Sequence, residues 1–170
     1  MHRFESQFFT ATILEWKNLI SPIEYKEIIL QSLKYLVRDC RIYLHAFCIM
    51  DNHLHLIWQI RHPFTRDQVQ RSFLRFTAQQ IIKDLRNNNP ALLEQFRVNA
   101  ADRNHQIWER NPLSVELINE PVMVQKLNYI HHNPVKAGLC EQRADYWYSS
   151  ARFYETGIDD WGLLVHYKYD

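Results

Sequence analysis

The sequence predicts an α+β protein of ferredoxin-like, split βαβ architecture. It would have a largely antiparallel four-stranded sheet, helices packed on the sheet, and an extra C-terminal segment. Segments with strand and helix periodicity follow one another in the order β-α-β-β-α-β-α. Only Asp51 and Asn52 separate the second and third strand segments, which indicates a tight hairpin. The first of the three glycines is Gly138, which excludes a P-loop and a Rossmann fingerprint before that point.

The first strand and the first helix are predicted from residue types and spacing. Residues 8–16 are rich in aromatic and β-branched side chains, which favour a strand. Residues 21–40 carry apolar side chains at helical spacing. Ser21 and Glu24 have the spacing of a capping box, so we expect the helix to begin there.

The next segments predict the hairpin and a long second helix. Residues 41–50 and 53–60 are strand segments on either side of the two-residue turn. Residues 65–86 are predicted to be helical, up to a run of asparagines before a proline. Residues 61–86 contain six basic and two acidic side chains, which indicates either a solvated helix face or a surface that contacts phosphates.

The last predicted elements are an edge strand and a third helix. Residues 105–118 alternate well enough for a fourth strand, and Pro112 favours an edge position or a bend. Residues 119–134 are predicted to be helical. We expect this helix to stop at Pro134, because proline pushes the residue before it out of the helical conformation.

Length and composition predict one cytoplasmic domain. The chain of 170 residues suits a single domain, 1–170, with a core of about 7–138 and a C-terminal cover of about 139–170. The three cysteines form no C-x-x-C pair, so reduced thiols are expected and neither a disulfide framework nor a thiolate zinc site is. The sequence has no apolar run of about 18 residues and no signal-peptide pattern, so no membrane partner is expected.

The third strand segment carries two histidines. Alternation in "HLHLIW" puts His53 and His55 on one face with Ile57, while Leu54 and Leu56 face the core. Two adjacent imidazoles can hold one metal ion. Two solvated or locally hydrogen-bonded histidines would give the same pattern, so the strand alone leaves both hypotheses open.

The third helix places a tyrosine and an amide on one side. Tyr129 and Asn133 are four residues apart in "YIHHN", so they stack on one helical face. The pair offers a nucleophile and a ligand oxygen. A half-buried aromatic residue followed by a helix-ending asparagine is the alternative interpretation.

Taken together, the motifs resemble those of the REP-associated tyrosine transposases, a branch of the single-tyrosine HUH transposases. "HLH" follows a hairpin, "YIHHNPVKAGL" lies on a late helix, and "YWYSSARFY" comes after it. The resemblance runs from about residue 7 to residue 154. Asp51 departs from the pattern, since members of the family usually have proline before "NH".

The resemblance implies a metal-dependent endonuclease and strand transferase that acts on single-stranded DNA and recognises DNA hairpins. It implies that Tyr129 is the nucleophile and becomes a 5′-phosphotyrosine. It also implies that His53, His55 and Asn133 bind a divalent metal, Mg²⁺ or Mn²⁺. Single-stranded or hairpin DNA is the expected partner, and the protein would act as a monomer or a homodimer.

Further residues would activate the nucleophile and bind the strand. A tyrosine hydroxyl ordinarily titrates near ~10, so a base or the field of the metal must help. Lys126, His131 and His132 are candidates. The basic segment and the aromatic-basic tail, which includes Tyr146, Tyr148 and Tyr154, are expected to contact phosphates and bases. For Trp147 and Tyr148, packing in a C-terminal cover over the sheet is the alternative interpretation. The predicted nucleic-acid contacts are Arg66, Arg71, Arg75, Arg143, Trp147 and Arg152.

Three rival functions remain open at this point. A metal-dependent phosphoesterase would attack with water and leave no covalent adduct. A protein without catalysis would only bind DNA hairpins. A ferredoxin-like regulatory module would bind a small ligand, and it would have no use for the "YIHHNPVKAGL" helix.

Overall fold

A four-stranded antiparallel sheet organises the protein, whose computed structural model describes residues 5–168. The strands lie in the spatial order β2-β3-β1-β4, and every neighbouring pair is antiparallel. In sequence, β1 and β2 are connected through a helix, but in the sheet β3 lies between them. This βαβ unit is therefore split. The predicted α+β class and split βαβ sheet are therefore confirmed. The strands are β1 (Gln7–Thr12), β2 (Ile42–Ile49), β3 (His53–Ile60) and β4 (Leu113–Glu116).

Helices cover both faces of this sheet. The main core joins one face to α1 and α2 and includes Phe9, Leu56 and Phe73. A second cluster joins the other face to α4 and includes Ile57 and Leu127. The strands are consequently apolar on both sides, and α4 lies on the face that the histidines share. The helices are α1 (Ile23–Arg38), α2 (Arg66–Asn88), α3 (Pro90–Glu94), α4 (Glu120–Lys136) and α5 (Ala151–Thr156).

Two predicted strands are shorter than expected. β1 stops at Thr12, and Leu14–Trp16 form a 3-10 turn in which Glu15 and Trp16 have left-handed backbone angles. β4 spans only Leu113–Glu116, and Trp108 contributes only an isolated bridge to Ile13. The aromatic residues of both segments favour strand conformation. The pairing of β1 and β4 with their neighbours nevertheless stops where the backbone forms local turns.

Two predicted helix ends were wrong. At the start of α1, Pro22 is the N-cap and no side chain caps the helix, so the expected capping box of Ser21 and Glu24 is absent. α4 continues through Pro134 to Lys136. Pro134 has no amide hydrogen to donate within the helix, and the helix ends two residues after it.

The turn between β2 and β3 is fastened from both sides. The amide of Ile20 donates to the carbonyl of Asp51 (3.1 Å), and the amide of Ile13 donates to the carbonyl of Asn52 (2.9 Å). The side chain of Lys26 is only 5% exposed, and its Nζ donates to Asp51 Oδ1 at 2.7 Å. It also donates to the carbonyls of Ile20 and Ser21. The turn thus has a fixed position next to His53.

The C-terminal segment runs along β2. Backbone amides of Ile49, Ser150 and Val165 join this segment to β2 at 2.9 Å each. The predicted division into a core and a C-terminal cover stays a prediction. None of the helices between residues 5 and 168 combines the length and apolar character that a membrane-spanning segment needs.

Candidate active site

His55 is a buried histidine with one free ring nitrogen. The residue is 4% exposed, and its ring stacks on Phe8 with centroids 5.4 Å apart. Its Nδ1 lies 2.7 Å from Oγ1 of Thr10, its cross-strand neighbour. Its Nε2 is buried and has no hydrogen-bond partner among the described residues. If Thr10 accepts the Nδ1 proton, Nε2 presents a lone pair to a ligand.

His53 is held in a similar way. Its Nδ1 lies 2.6 Å from Oδ1 of Asn52, and an amide oxygen can only accept, so Nδ1 carries the proton. The rings of His53 and His55 meet edge to face, with centroids 4.8 Å apart. His53 therefore carries its lone pair on Nε2, as His55 does when Thr10 accepts its Nδ1 proton.

Burial keeps both imidazoles neutral. It lowers the pKa of His55 to about 3, with smaller contributions from His53 and from the Lys126 ammonium. Burial also lowers the pKa of His53, and hydrogen bonding with the Asn133 side chain opposes that shift. Neutral imidazole is the form that binds metal, so these histidines are ready to act as ligands at neutral pH.

Tyr129 stands over this pair from α4. Its ring centroid lies 5.3 Å from His55 and 6.0 Å from Phe8, both edge to face. The residue is 49% exposed, so solvent reaches it. Leu127 and Ile130 are buried in the second cluster and fix the helix against the sheet. The fold thus brings Tyr129 to the histidines, and Asn133 follows one helical turn later.

Among the three candidates for assisting Tyr129, Lys126 is the best placed. Its Nζ lies 4.8 Å from the ring centroid of Phe8 and 5.8 Å from that of Tyr129. His131 points away: it is 5% exposed, and its Nε2 lies 2.8 Å from Oγ of Ser150. His132 is exposed.

The donor set fits a divalent metal with open coordination positions. Between residues 5 and 168, no group of three or more His, Cys, Asp or Glu side chains is placed to hold a metal ion. The candidate set has two imidazoles and adds the amide of Asn133. The unpaired, buried Nε2 of His55 fits such a role, because a buried polar atom without a partner is costly. Two nitrogens and one amide oxygen suit Mn²⁺ or Mg²⁺ with water in the remaining positions.

The predicted DNA contacts fall in separate places. Arg66, Arg71 and Arg75 are exposed on α2, which packs on the sheet face opposite Tyr129. Arg143 contacts α4, where its Nη1 donates to Oδ1 of Asn128 at 3.2 Å. Only Arg143 of these four is beside the tyrosine helix.

The aromatic tail divides into structural and exposed side chains. Trp147 is 49% exposed, and Arg152 is exposed and pairs with Asp160 at 3.5 Å. Three tyrosine hydroxyls of the tail are instead bonded within the fold, so these rings pack the cover. They belong to Tyr146, Tyr148 and Tyr154, whose partners are the Ile49 carbonyl, Glu27 Oε1 and the His45 carbonyl.

Sequence reasoning missed the residues that orient the histidines. Thr10 holds His55 from β1, and only the strand register, in which Thr10 is paired with His55, could have indicated it. Asn52 holds His53, and its position directly before the motif was a usable signal. The ring of Trp16 also contacts that of His53, edge to face at 5.8 Å between centroids, from a segment that the sequence predicts to be a strand.

Comparison with known proteins agrees with the fold, although no family model matches the sequence. A Haemophilus influenzae protein assigned as a REP-associated tyrosine transposase is 30% identical over 126 residues. The match covers 69% of this chain but 65% of that relative, slightly less than two thirds of its length. The solved structure of a REP-associated tyrosine transposase bound to a REP hairpin superposes with a TM-score of 0.64 and 18% identity. That superposition covers 97% of this chain and 88% of the other, and it supports the fold.

A second solved structure, of a Deinococcus radiodurans protein assigned as a transposase, has a TM-score of 0.49 and 12% identity. It covers 75% of this chain and 88% of the other, and no argument rests on it. The Haemophilus influenzae relative agrees with the resemblance of the motifs to the REP-associated tyrosine transposases, and the superposition shows a shared fold. This chain is thus similar to a protein assigned to that class over 69% of its own length.

Proposed function

We propose that the protein is a metal-dependent endonuclease and strand transferase that acts on single-stranded DNA next to a hairpin. The observation that carries the proposal is the placement of the Tyr129 ring 5.3 Å from the buried ring of His55, whose Nε2 is free among the described residues. A nucleophile beside two neutral, oriented imidazoles suits phosphoryl transfer better than ligand binding alone. The solved relative is bound to a REP hairpin, which supports hairpin DNA as the partner.

In this proposal Tyr129 attacks the phosphorus of a phosphodiester. The bond from phosphorus to the 3′-oxygen breaks and that oxygen takes up a proton from solvent, which leaves a 5′-phosphotyrosine and a free 3′-hydroxyl. The proton of the hydroxyl passes to solvent, which reaches the half-exposed tyrosine. The Lys126 ammonium beside the ring stabilises the phenolate charge.

His53, His55 and Asn133 would hold a divalent metal, Mg²⁺ or Mn²⁺. When bound there, the ion would neutralise the charge on the phosphate oxygens that repels a nucleophile. Asn52 and Thr10 hold the two rings so that neither has to reorient when a phosphate arrives. The covalent bond to Tyr129 conserves the energy of the phosphodiester, so the reverse reaction joins a strand without a nucleotide cofactor.

Access to the site favours single strands. Tyr129 sits on a helix above a sheet, and a phosphate must enter the space between them. A splayed strand can do so, whereas a stiff duplex would first have to unpair. Since such strands form on the chromosome, we place the activity in the cytoplasm.

Strand cleavage compared on three forms of one DNA sequence tests the proposal. The single-stranded form and the hairpin with a single-stranded tail are expected to be cut in Mn²⁺ or Mg²⁺, and the perfect duplex is not. Tyr129→Phe is expected to abolish cutting while leaving binding close to wild type, because only the hydroxyl is lost. Equal cutting of the duplex contradicts the preference for single strands. Cutting by Tyr129→Phe at the wild-type rate contradicts the tyrosine nucleophile and favours a water-using phosphoesterase.

A further inference from the structure

Trp16 presents a large ring to solvent at the edge of the candidate site. The residue is 61% exposed, and its ring centroid lies 5.8 Å from that of His53, edge to face. An exposed indole leaves in water an apolar surface that a flat ligand could cover. The chemistry proposed for Tyr129 and the metal ligands makes no use of this ring.

The backbone that carries this ring has a defined conformation. Glu15 and Trp16 have φ angles of 57° and 58°, in the left-handed region that residues other than glycine seldom adopt. The Trp16 amide donates to the Ile13 carbonyl at 2.8 Å, and the Glu15 amide donates to Oε1 of Glu109 at 2.7 Å. The backbone from which the ring projects is thus ordered before any ligand arrives, which lowers the ordering cost of binding.

The rings of the site contact one another in the succession Tyr129, His55, His53 and Trp16. Successive ring centroids are separated by 5.3 Å from Tyr129 to His55, 4.8 Å from His55 to His53, and 5.8 Å from His53 to Trp16. In an in-line displacement, the leaving oxygen departs on the side of the phosphorus opposite the attacking oxygen. Tyr129 contacts His55 and Trp16 contacts His53, so a leaving 3′-oxygen directed away from Tyr129 would lie on the side of His53 and Trp16.

We propose that Trp16 stacks on the unpaired base of the nucleotide immediately 5′ to the cleaved phosphate, the nucleotide that carries the leaving 3′-oxygen. The proposal rests on the function proposed above and adds a binding site to it. The ligand is an unpaired nucleobase of any identity, since every base has a π-face. The stack holds the released 3′-end beside the site, where the reverse, strand-joining reaction needs it.

The test uses a hairpin with a single-stranded tail that the wild-type protein cuts, after the cut position has been mapped. The base immediately 5′ to the cut is then replaced by the fluorescent base 2-aminopurine. Binding is measured in the Tyr129→Phe background, so that no cleavage disturbs it. The variants compared in this background are Trp16→Ala, Trp16→Phe, and Tyr35→Ala as a control for loss of an exposed aromatic residue on α1.

In the Tyr129→Phe background, the protein that retains Trp16 is expected to quench the 2-aminopurine fluorescence. The Trp16→Ala variant is expected to bind the DNA roughly 5- to 100-fold more weakly and to quench little. Trp16→Phe retains most of the affinity, and Tyr35→Ala is unchanged. An abasic nucleotide at the same position should weaken binding to the Trp16 protein by a similar factor, whether or not Trp16→Ala folds. It should weaken binding to Trp16→Ala only slightly.

The outcomes separate the two proposals. If the strand is cut by the wild type but an abasic nucleotide leaves binding to the Trp16 protein unchanged, the stacking proposal is overturned and the proposed function stands. Equal quenching by the protein that retains Trp16 and by the Trp16→Ala variant also overturns the stacking proposal. If the wild-type protein cuts no strand, both proposals fall together.

Discussion

The imidazole of His55 and the phenol ring of Tyr129 lie edge to face at 71°, with ring centroids 5.3 Å apart. One ring comes from the middle of the sheet and the other from a helix laid across it. Phe8 stacks on His55 and also contacts Tyr129, so a single apolar side chain supports both rings. This arrangement places a solvent-reachable hydroxyl group beside a buried imidazole whose Nε2 has no partner among the described residues.

Replacing Thr10 with valine tests how His55 is oriented. Valine keeps the size of the side chain but removes the oxygen that holds Nδ1 at 2.7 Å. We expect affinity for Mn²⁺, measured by calorimetry, to fall roughly 10- to 100-fold, as is usual when an outer partner of a histidine ligand is lost. Thr156→Val, at an exposed position in α5, is the control and should bind Mn²⁺ like the wild type. Unchanged Mn²⁺ affinity of Thr10→Val would show that Thr10 does not orient a ligand.

The sequence predicted the sheet and the meeting of the motifs for clear physical reasons. Alternation in β3 put His53 and His55 on one face, and helical spacing put Tyr129 and Asn133 on one side of α4. Sequence periodicity shows which side chains lie on the same face of a strand or helix, so both pairings could be predicted from it. Whether the four side chains form one site is supported by their geometry and stays a prediction until it is tested.

Other features depend on contacts between segments distant in the chain, which no local pattern encodes. Thr10 meets His55 only through the register of β1 and β3. The helical stretch through Pro134 was missed because the preference for non-helical backbone before a proline is a local tendency, which takes no account of the burial of Pro134 in the fold. The early end of β1 follows from the left-handed residues Glu15 and Trp16, which their side chains do not predict.

Replacing both Arg71 and Arg75 with glutamine tests the role predicted for α2. The two side chains are exposed on the face of the sheet away from Tyr129, where a hairpin stem rather than the cleaved phosphate would contact them. We expect weaker hairpin binding, with the cleavage position unchanged. In a plot of the logarithm of the binding constant against the logarithm of the salt concentration, the slope should be less steep by about 2. Arg38→Gln in α1 is the control. A salt dependence identical to that of the wild type would remove these arginines from the interface.

Lys26→Met should destabilise the protein by roughly 1–3 kcal/mol, because it leaves the Asp51 carboxylate and two carbonyls without their donor. The value lies below that of a fully buried pair, since the Asp51 side chain is 34% exposed. Urea unfolding measures the change, and Lys34→Met on the same helix is the control. Asp51→Asn keeps an acceptor and should cost less. A loss below about 0.5 kcal/mol for Lys26→Met would mean that this contact does not fasten the turn.

Stability should fall as the pH drops below about 6.5, the ordinary pKa of histidine. Burial lowers the pKa of His45, whose Nδ1 donates to the Val165 carbonyl. Below pH ~6.5 the unfolded chain therefore takes up a proton that the folded chain does not. Each such histidine removes up to about 1.4 kcal/mol per pH unit until its folded pKa is reached.

His45→Gln should therefore show a smaller loss of unfolding free energy between pH 7 and pH 5 than the wild type. Urea unfolding in a chelator at both pH values measures this without a contribution from bound metal. His62→Gln, at an exposed position, controls for the loss of one imidazole. An identical pH dependence in His45→Gln and wild type would rule out His45 as a source of the acid sensitivity.

The most direct test of the central claim is to find which residue carries DNA. The protein is mixed with a hairpin that has a single-stranded tail, in Mn²⁺, and its intact mass and proteolytic peptides are measured. We predict an added mass equal to the DNA fragment on the 3′ side of the cut, attached through its 5′-phosphate to the peptide that contains Tyr129. Tyr35→Phe should still form this adduct, whereas Tyr129→Phe should not. DNA that is cut without any adduct, or an adduct on another residue, would contradict the claim that Tyr129 is the nucleophile.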